Sequence, residues 1–157
     1  MVLDEFKDRF TLFLESGFIA VNQADEDSAV KLFNAAEMVY PDHVLTRVGF
    51  GYMYLCKLEI KKAIEMFEGA LKREPNNEIA KSLLGFCFSL TPDQGMKGEK
   101  ILEETKNETK DKGIKELNNV LLDFVDQFVK AKPSPETLPA SSIAKKQAEM
   151  KSKKPKK

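Results

Sequence analysis

One histidine, two cysteines and two acidic clusters are the side chains of this sequence whose types could do chemistry. His43 follows Pro41-Asp42. A general base there would need a nucleophile or a substrate pocket beside it, and a zinc site would need three or four ligands. The chain has no second histidine to help complete either. Cys56 and Cys87 lie far apart in separate apolar stretches, without a CxxC spacing. They are expected to be buried free thiols of a reducing compartment, not a disulfide. Gly95-Met96-Lys97-Gly98 sets a lysine between glycines but lacks the spacing and the terminal Lys-Ser/Thr of a phosphate loop. Asp25-Glu26-Asp27 reads as a helix start, and Glu103-Glu104 as a solvated face. The parts of an enzyme are missing. Neither catalysis nor a metal or other cofactor is expected.

The whole chain bounds the alternatives. Its 157 residues suffice for one domain with a sizeable core. The formal charge of zero hides an asymmetry. Residues 1–132 hold 18 Lys/Arg against 23 Asp/Glu, a net of −5, and residues 133–157 hold 7 Lys against 2 Glu, a net of +5. No apolar run is long enough for a membrane span, and the N-terminus lacks a signal-peptide pattern. A cytoplasmic protein is expected. The tail, PSPETLPASS followed by IAKKQAEMKSKKPKK, has the Pro/Ser/Lys composition of a disordered segment. With no aromatic among its lysines to stack on bases, nucleic acid is not an expected partner.

The elements that would carry a site come from a repeat. Gly17, Gly51 and Gly85 are evenly spaced, each followed by an aromatic. Ala29, Phe33, Ala36 and Pro41 follow the first glycine, and Ala63, Phe67, Ala70 and Pro75 follow the second, each 34 positions later. Small, large and small residues at i, i+4 and i+7 share one helical face. Each block therefore reads as two helices, near 10–23 and 26–39, 44–57 and 60–73, 78–90 and 93–107. The recurrent glycines suggest helix backbones too close for a Cβ, with Ala29 and Ala63 as matching small surfaces. In the third block Lys97, Ile101, Glu104 and Thr109 occupy the Ala, Phe, Ala and Pro positions, so its second helix loses the pattern. Thr91-Pro92 reads as its cap and first turn, and Met96, Ile101 and Leu102 as its packing face. Ile114, Leu117, Leu121, Phe124, Val125, Phe128 and Val129 then trace an amphipathic helix over about 114–131. Such a helix covers the open end of a stack or docks on a partner.

The period and these offsets resemble the tetratricopeptide repeat. Repeats fall at about 10–43, 44–77 and 78–111, with Phe13 and Arg47 where the family has an early Trp. The resemblance implies an all-α fold. Three helical hairpins would stack as a short right-handed solenoid with a C-terminal capping helix, making a domain of residues 1–132 before the tail of 133–157. In that family the first helices line a concave groove. The corresponding positions here are Leu14, Phe18 and Val21, then Val48, Tyr52 and Leu55, then Ser82, Phe86 and Ser89. The Lys/Arg/Asn clamp with which some relatives grip acidic chaperone tails is absent from them. An apolar groove suits an amphipathic helix or an extended apolar peptide.

Small size, an apolar groove, a terminal helix and no catalytic equipment are together similar to the tetratricopeptide chaperones of bacterial type III secretion systems. That resemblance implies a cytoplasmic chaperone that keeps a needle subunit or a translocator soluble before export. The alternative is a scaffold joining folded partners, with the basic tail as a second contact.

Overall fold

A computed structural model describes residues 8–131. The tail expected over 133–157 lies outside them. Within this range the chain forms α1 (Phe10–Asn22), α2 (Glu26–Val39), α3 (Val44–Cys56), α4 (Ile60–Arg73), α5 (Glu78–Ser89), α6 (Gly95–Glu108) and α7 (Lys112–Phe124). A π-helical segment, Val125–Val129, continues α7. The first six helices form three antiparallel pairs, each packed on the next, and α7 lies against α5 and α6.

Local chemistry starts these helices where the sequence places them. Asp25 caps α2 by accepting from the Ser28 amide at 3.1 Å, and Glu26 and Asp27 follow in the first turn. Hydrogen bonding from Ser28 holds the Asp25 carboxyl below its ordinary pKa. Asn77 caps α5 through the Ala80 amide, and Asp111 caps α7 through the amides of Gly113 and Ile114. His43 is also a cap: its Nδ1 accepts from the Leu45 amide at 3.2 Å. The turn inside each pair has one residue in left-handed backbone, at Ala24 (φ 58°), Leu58 (φ 59°) and Asp93 (φ 65°). All three places lack glycine.

Two cores knit the pairs together, one built around Phe33 and one around Phe67, both fully buried. The glycines face those rings. A Cβ on Gly17 would stand 2.4 Å from Cε1 of Phe33, and one on Gly51 would stand 2.6 Å from Cε1 of Phe67. In the first two repeats, then, it is a phenyl ring and not a second backbone that excludes the side chain. Backbone does approach backbone in the third pair, where a Cβ on Gly98 would meet the Ser89 nitrogen at 2.3 Å and the Gly85 carbonyl oxygen at 2.4 Å.

The third pair is complete, but its second helix is shifted. α2 starts at Glu26 and α4 at Ile60, one full period apart, whereas α6 starts at Gly95, one position later than the next period would put it. That extra residue in the connection moves the packing face to Gly98, Leu102 and Thr105, all buried, which restores the small-large-small order. Residues Lys97, Ile101 and Glu104 are therefore displaced by one from the positions that the strict period assigns. Met96 is 89% exposed and contributes no packing face. Thr91 does not cap α6; its hydroxyl donates to the Cys87 carbonyl at 2.8 Å, and the helix begins at Gly95. Cys87 is buried as expected, but Cys56, the last residue of α3, is exposed.

Candidate functional site

The first helices of the three pairs run side by side and form an apolar groove of about 420 Å³. α1 contributes Leu14 and Phe18, with Thr11 and Glu15 bordering them. α3 contributes Leu45, Val48 and Tyr52, and α5 contributes Ile79 and Leu83. Leu117 of α7 completes the lining. Thr11, Leu45 and Ile79 hold the same position in successive repeats and form one row across the groove. Phe18 and Tyr52 belong to another, their ring centroids 5.7 Å apart.

Packing from behind sets the orientation of these side chains. Phe18 meets the buried Phe33 edge-on at 5.5 Å. Tyr52 donates its hydroxyl to Asn22 Oδ1 at 2.8 Å, which ties the end of α1 to α3. Burial, with the nearby Cys56 thiol, raises the Tyr52 phenol above its ordinary pKa, so it stays a neutral donor near neutral pH.

The nine positions taken from the repeat pattern do not share one place. Leu14, Phe18, Val48 and Tyr52 line the groove. Val21 borders a separate hollow of about 160 Å³ with Met53, Cys56 and Lys57. Leu55 is buried in the core around Phe67. Ser82 is fully buried: its hydroxyl donates to the Glu78 carbonyl and accepts from Asn118 Nδ2, each at 2.8 Å. Ser89 is buried where α5 meets Gly98, and its hydroxyl donates to the Gly85 carbonyl at 3.0 Å. Phe86 is covered from within the chain by Phe124, edge-on at 5.5 Å.

The third repeat thus turns its share of the row toward α7. The polar contact between Ser82 and Asn118 fixes where α7 sits, and Ile114, Leu117, Leu121 and Leu122 are half-buried around it. Phe124, Phe128 and Val129 of the expected apolar stripe remain exposed, whereas Val125 is buried. Leu45, Ile79, Leu83 and Leu117 are groove residues outside the expected set. The first two were detectable as members of a periodic row one helical turn before Leu14, Val48 and Ser82.

Among the described residues no group of His, Cys, Asp or Glu could hold a metal ion. No helix of the described residues is long and apolar enough to cross a membrane.

No protein-family model matches the chain. A stretch of 78 residues, 49% of the chain, is 32% identical to the RNA polymerase-associated protein CTR9 of Caenorhabditis elegans, and it spans 7% of that protein's length. Among solved structures, the Sgt2 TPR domain from Aspergillus fumigatus superposes with a TM-score of 0.56 at 16% identity, over 85% of this chain and 93% of that one. With its three packed helix pairs and end helix, the chain has a tetratricopeptide-repeat-like, all-helical fold.

Proposed function

We propose that this chain is a protein-interaction module that takes an apolar helical or extended segment of a partner into its groove. The observation that carries this reading is the groove itself, walled by Leu14, Phe18, Leu45, Val48 and Leu83, with no lysine or arginine among the described residues that line it. Burying apolar surface there contributes about 25 cal/mol per Å². Ordering the partner then offsets part of that gain.

The finer reading is a cytoplasmic chaperone that holds an export substrate soluble, such as a secretion needle subunit or a translocator. It rests on the chain's overall build: a short stack, an end helix and a groove without a charged clamp. A second reading, an adaptor joining folded partners, draws on the likeness to CTR9, which is described as RNA polymerase-associated.

A pull-down from the source organism's lysate separates the two. Wild type is compared with a Tyr52→Ser, Ile79→Ser variant that circular dichroism shows to be folded; Ile79 is 37% exposed. Groove binding predicts one helical partner, aggregation-prone alone, retained by wild type and lost by the variant. Equal retention by both, abolished by salt, assigns binding to the charged outer surface and overturns the groove reading.

A further inference from the structure

The end helix carries apolar residues on two faces. On one, Asn118 and Val125 are buried against the stack, with Ile114, Leu121 and Leu122 half-buried around them. On the other, Val120, Phe124 and Phe128 follow one another at i, i+4 and i+8 and stay exposed. A terminal unit of a linear array ordinarily presents a polar outer face, which keeps the stack soluble. This one presents phenyl rings. They are held in place from within the chain: Phe124 packs edge-on against Phe86 at 5.5 Å and tilts against Phe128 at 4.9 Å. The backbone extends the row. The Lys130 amide donates to the Val125 carbonyl at 3.0 Å, the five-residue bond of a π-helix, a form that recurs at functional sites. Its wider turn delays the rotation of successive side chains, so Val129 stays exposed beside Phe128 instead of following Val125 inward.

Area and charge point to what covers the row. Val120 is 56% exposed, Phe124 42%, Phe128 68% and Val129 43%. At roughly 150–200 Å² for a whole residue, these four leave about 370 Å² of apolar surface open. Two such rows, with the polar rim that makes up about 40% of an interface, bury about 1,200 Å² in all. That is the lower end of what a specific protein–protein contact requires. Residues 112–130 hold Lys112, Lys115 and Lys130 against Glu116, Asp123 and Asp126, a net of zero, in a domain whose residues 1–132 carry −5. Two acidic bodies can therefore meet along this helix with little repulsion. The row also complements itself. Reversed about Phe124, Val120 faces Phe128 of a second copy. Glu116 then comes within one turn of that copy's Lys130, which Asp126 holds at 2.9 Å.

We propose that this face binds a second copy of the chain, two end helices pairing antiparallel across a two-fold axis at Phe124. Phe124 meets its own counterpart, flanked by two Val120–Phe128 contacts. Asp123 of both copies lies along one edge near the axis, a like-charge approach that keeps the pairing reversible. Pairing at Phe124 stands whether or not the groove takes a partner.

Sedimentation velocity of the full chain tests it. The expected result is a monomer–dimer equilibrium with a dissociation constant on the order of 10 µM, as suits a contact of this size. Phe128→Ser should leave the circular dichroism unchanged and weaken the dimer about a hundredfold, since the two-fold axis removes the ring twice. Asp123→Asn should tighten it; a weakening overturns the register. Disulfide trapping reads the geometry separately. In a Cys56→Ser background, with Cys87 buried, Phe124→Cys is expected to form an intermolecular disulfide by itself under mild oxidation. Val120→Cys and Phe128→Cys are expected to do so when the two chains are mixed, and neither alone. Cross-linking of Val120→Cys with itself would place the helices parallel and overturn the proposal. A dimer that Phe128→Ser leaves intact overturns it too. So does a monomer at every concentration reached, whether the row is bare or covered by another segment of this chain or by a different protein.

Discussion

Phe33 is wedged between Gly17 of its own repeat and Gly49 of the next: a Cβ on the first would stand 2.4 Å from its Cε1, and a Cβ on the second 2.6 Å. One ring thereby fixes the spacing of α1, α2 and α3. Phe67 repeats half of the arrangement against Gly51. Aromatic burial and glycine thus form one device, the glycine supplying the recess that the ring fills.

Adding that missing carbon tests the device. Gly51→Ala is expected to lower stability by about 1–3 kcal/mol, the usual cost of overpacking, against a helix-propensity gain of about 1 kcal/mol. Gly98→Ala should cost more, because it meets the Ser89 nitrogen and the Gly85 carbonyl oxygen, backbone atoms that cannot rotate away. Urea unfolding of the two variants checks the order. Equal midpoints would mean that α6 slides freely on α5.

The left-handed turn residues predict a gain. Leu58 has φ 59° and is 75% exposed, so it strains the backbone and contributes little packing. Left-handed backbone costs a non-glycine residue roughly 1–2 kcal/mol. Part of that returns as unfolded-state entropy when glycine replaces it. Leu58→Gly is therefore expected to raise stability by up to about 1 kcal/mol, read as a higher denaturation midpoint.

The two thiols should behave differently. Burial pushes Cys87 up to about 12, so it stays protonated at pH values where a free thiol, near 8.5, already ionises. A folded pKa above the unfolded one means that this contribution to stability is complete below about pH 8.5 and is lost as the pH rises toward 12. Alkylation at mildly alkaline pH should modify Cys56 alone in the folded chain and both thiols in denaturant. Mass spectrometry of the two digests reads the ratio.

The first two repeats were legible because the Gly, Ala, Phe and Ala positions keep a strict period, and helical periodicity supplied their boundaries. The second helix of the third repeat was obscured by one extra residue. Sliding the alignment by one exposes Gly98, Leu102 and Thr105 in place of Lys97, Ile101 and Glu104. In the groove, Leu14, Phe18, Val48 and Tyr52 could be read from the period. The positions of Ser82, Ser89 and Phe86 could not, because their surroundings are set by Asn118, Gly98 and Phe124. Those contacts link separate helices, and no single period along the chain encodes them.

The contact between Asn118 and Ser82 also gives the stack a polarity. Asn118 is fully buried and donates to both the Ser82 hydroxyl and the Ile114 carbonyl, so the interface that holds the last helix down is in part polar. At the opposite end the described residues pack through apolar side chains, Phe10, Leu14 and Phe33 among them. In a linear array each unit is secured only by its neighbours, so local opening begins at the weaker terminus. Opening at α7 would uncover Phe86, the third member of the row of Phe18 and Tyr52, and remove Leu117 from the groove wall, while Phe33 and Phe67 stay packed. What the third repeat presents on the concave face is thus set by the last helix and not by the core of the stack.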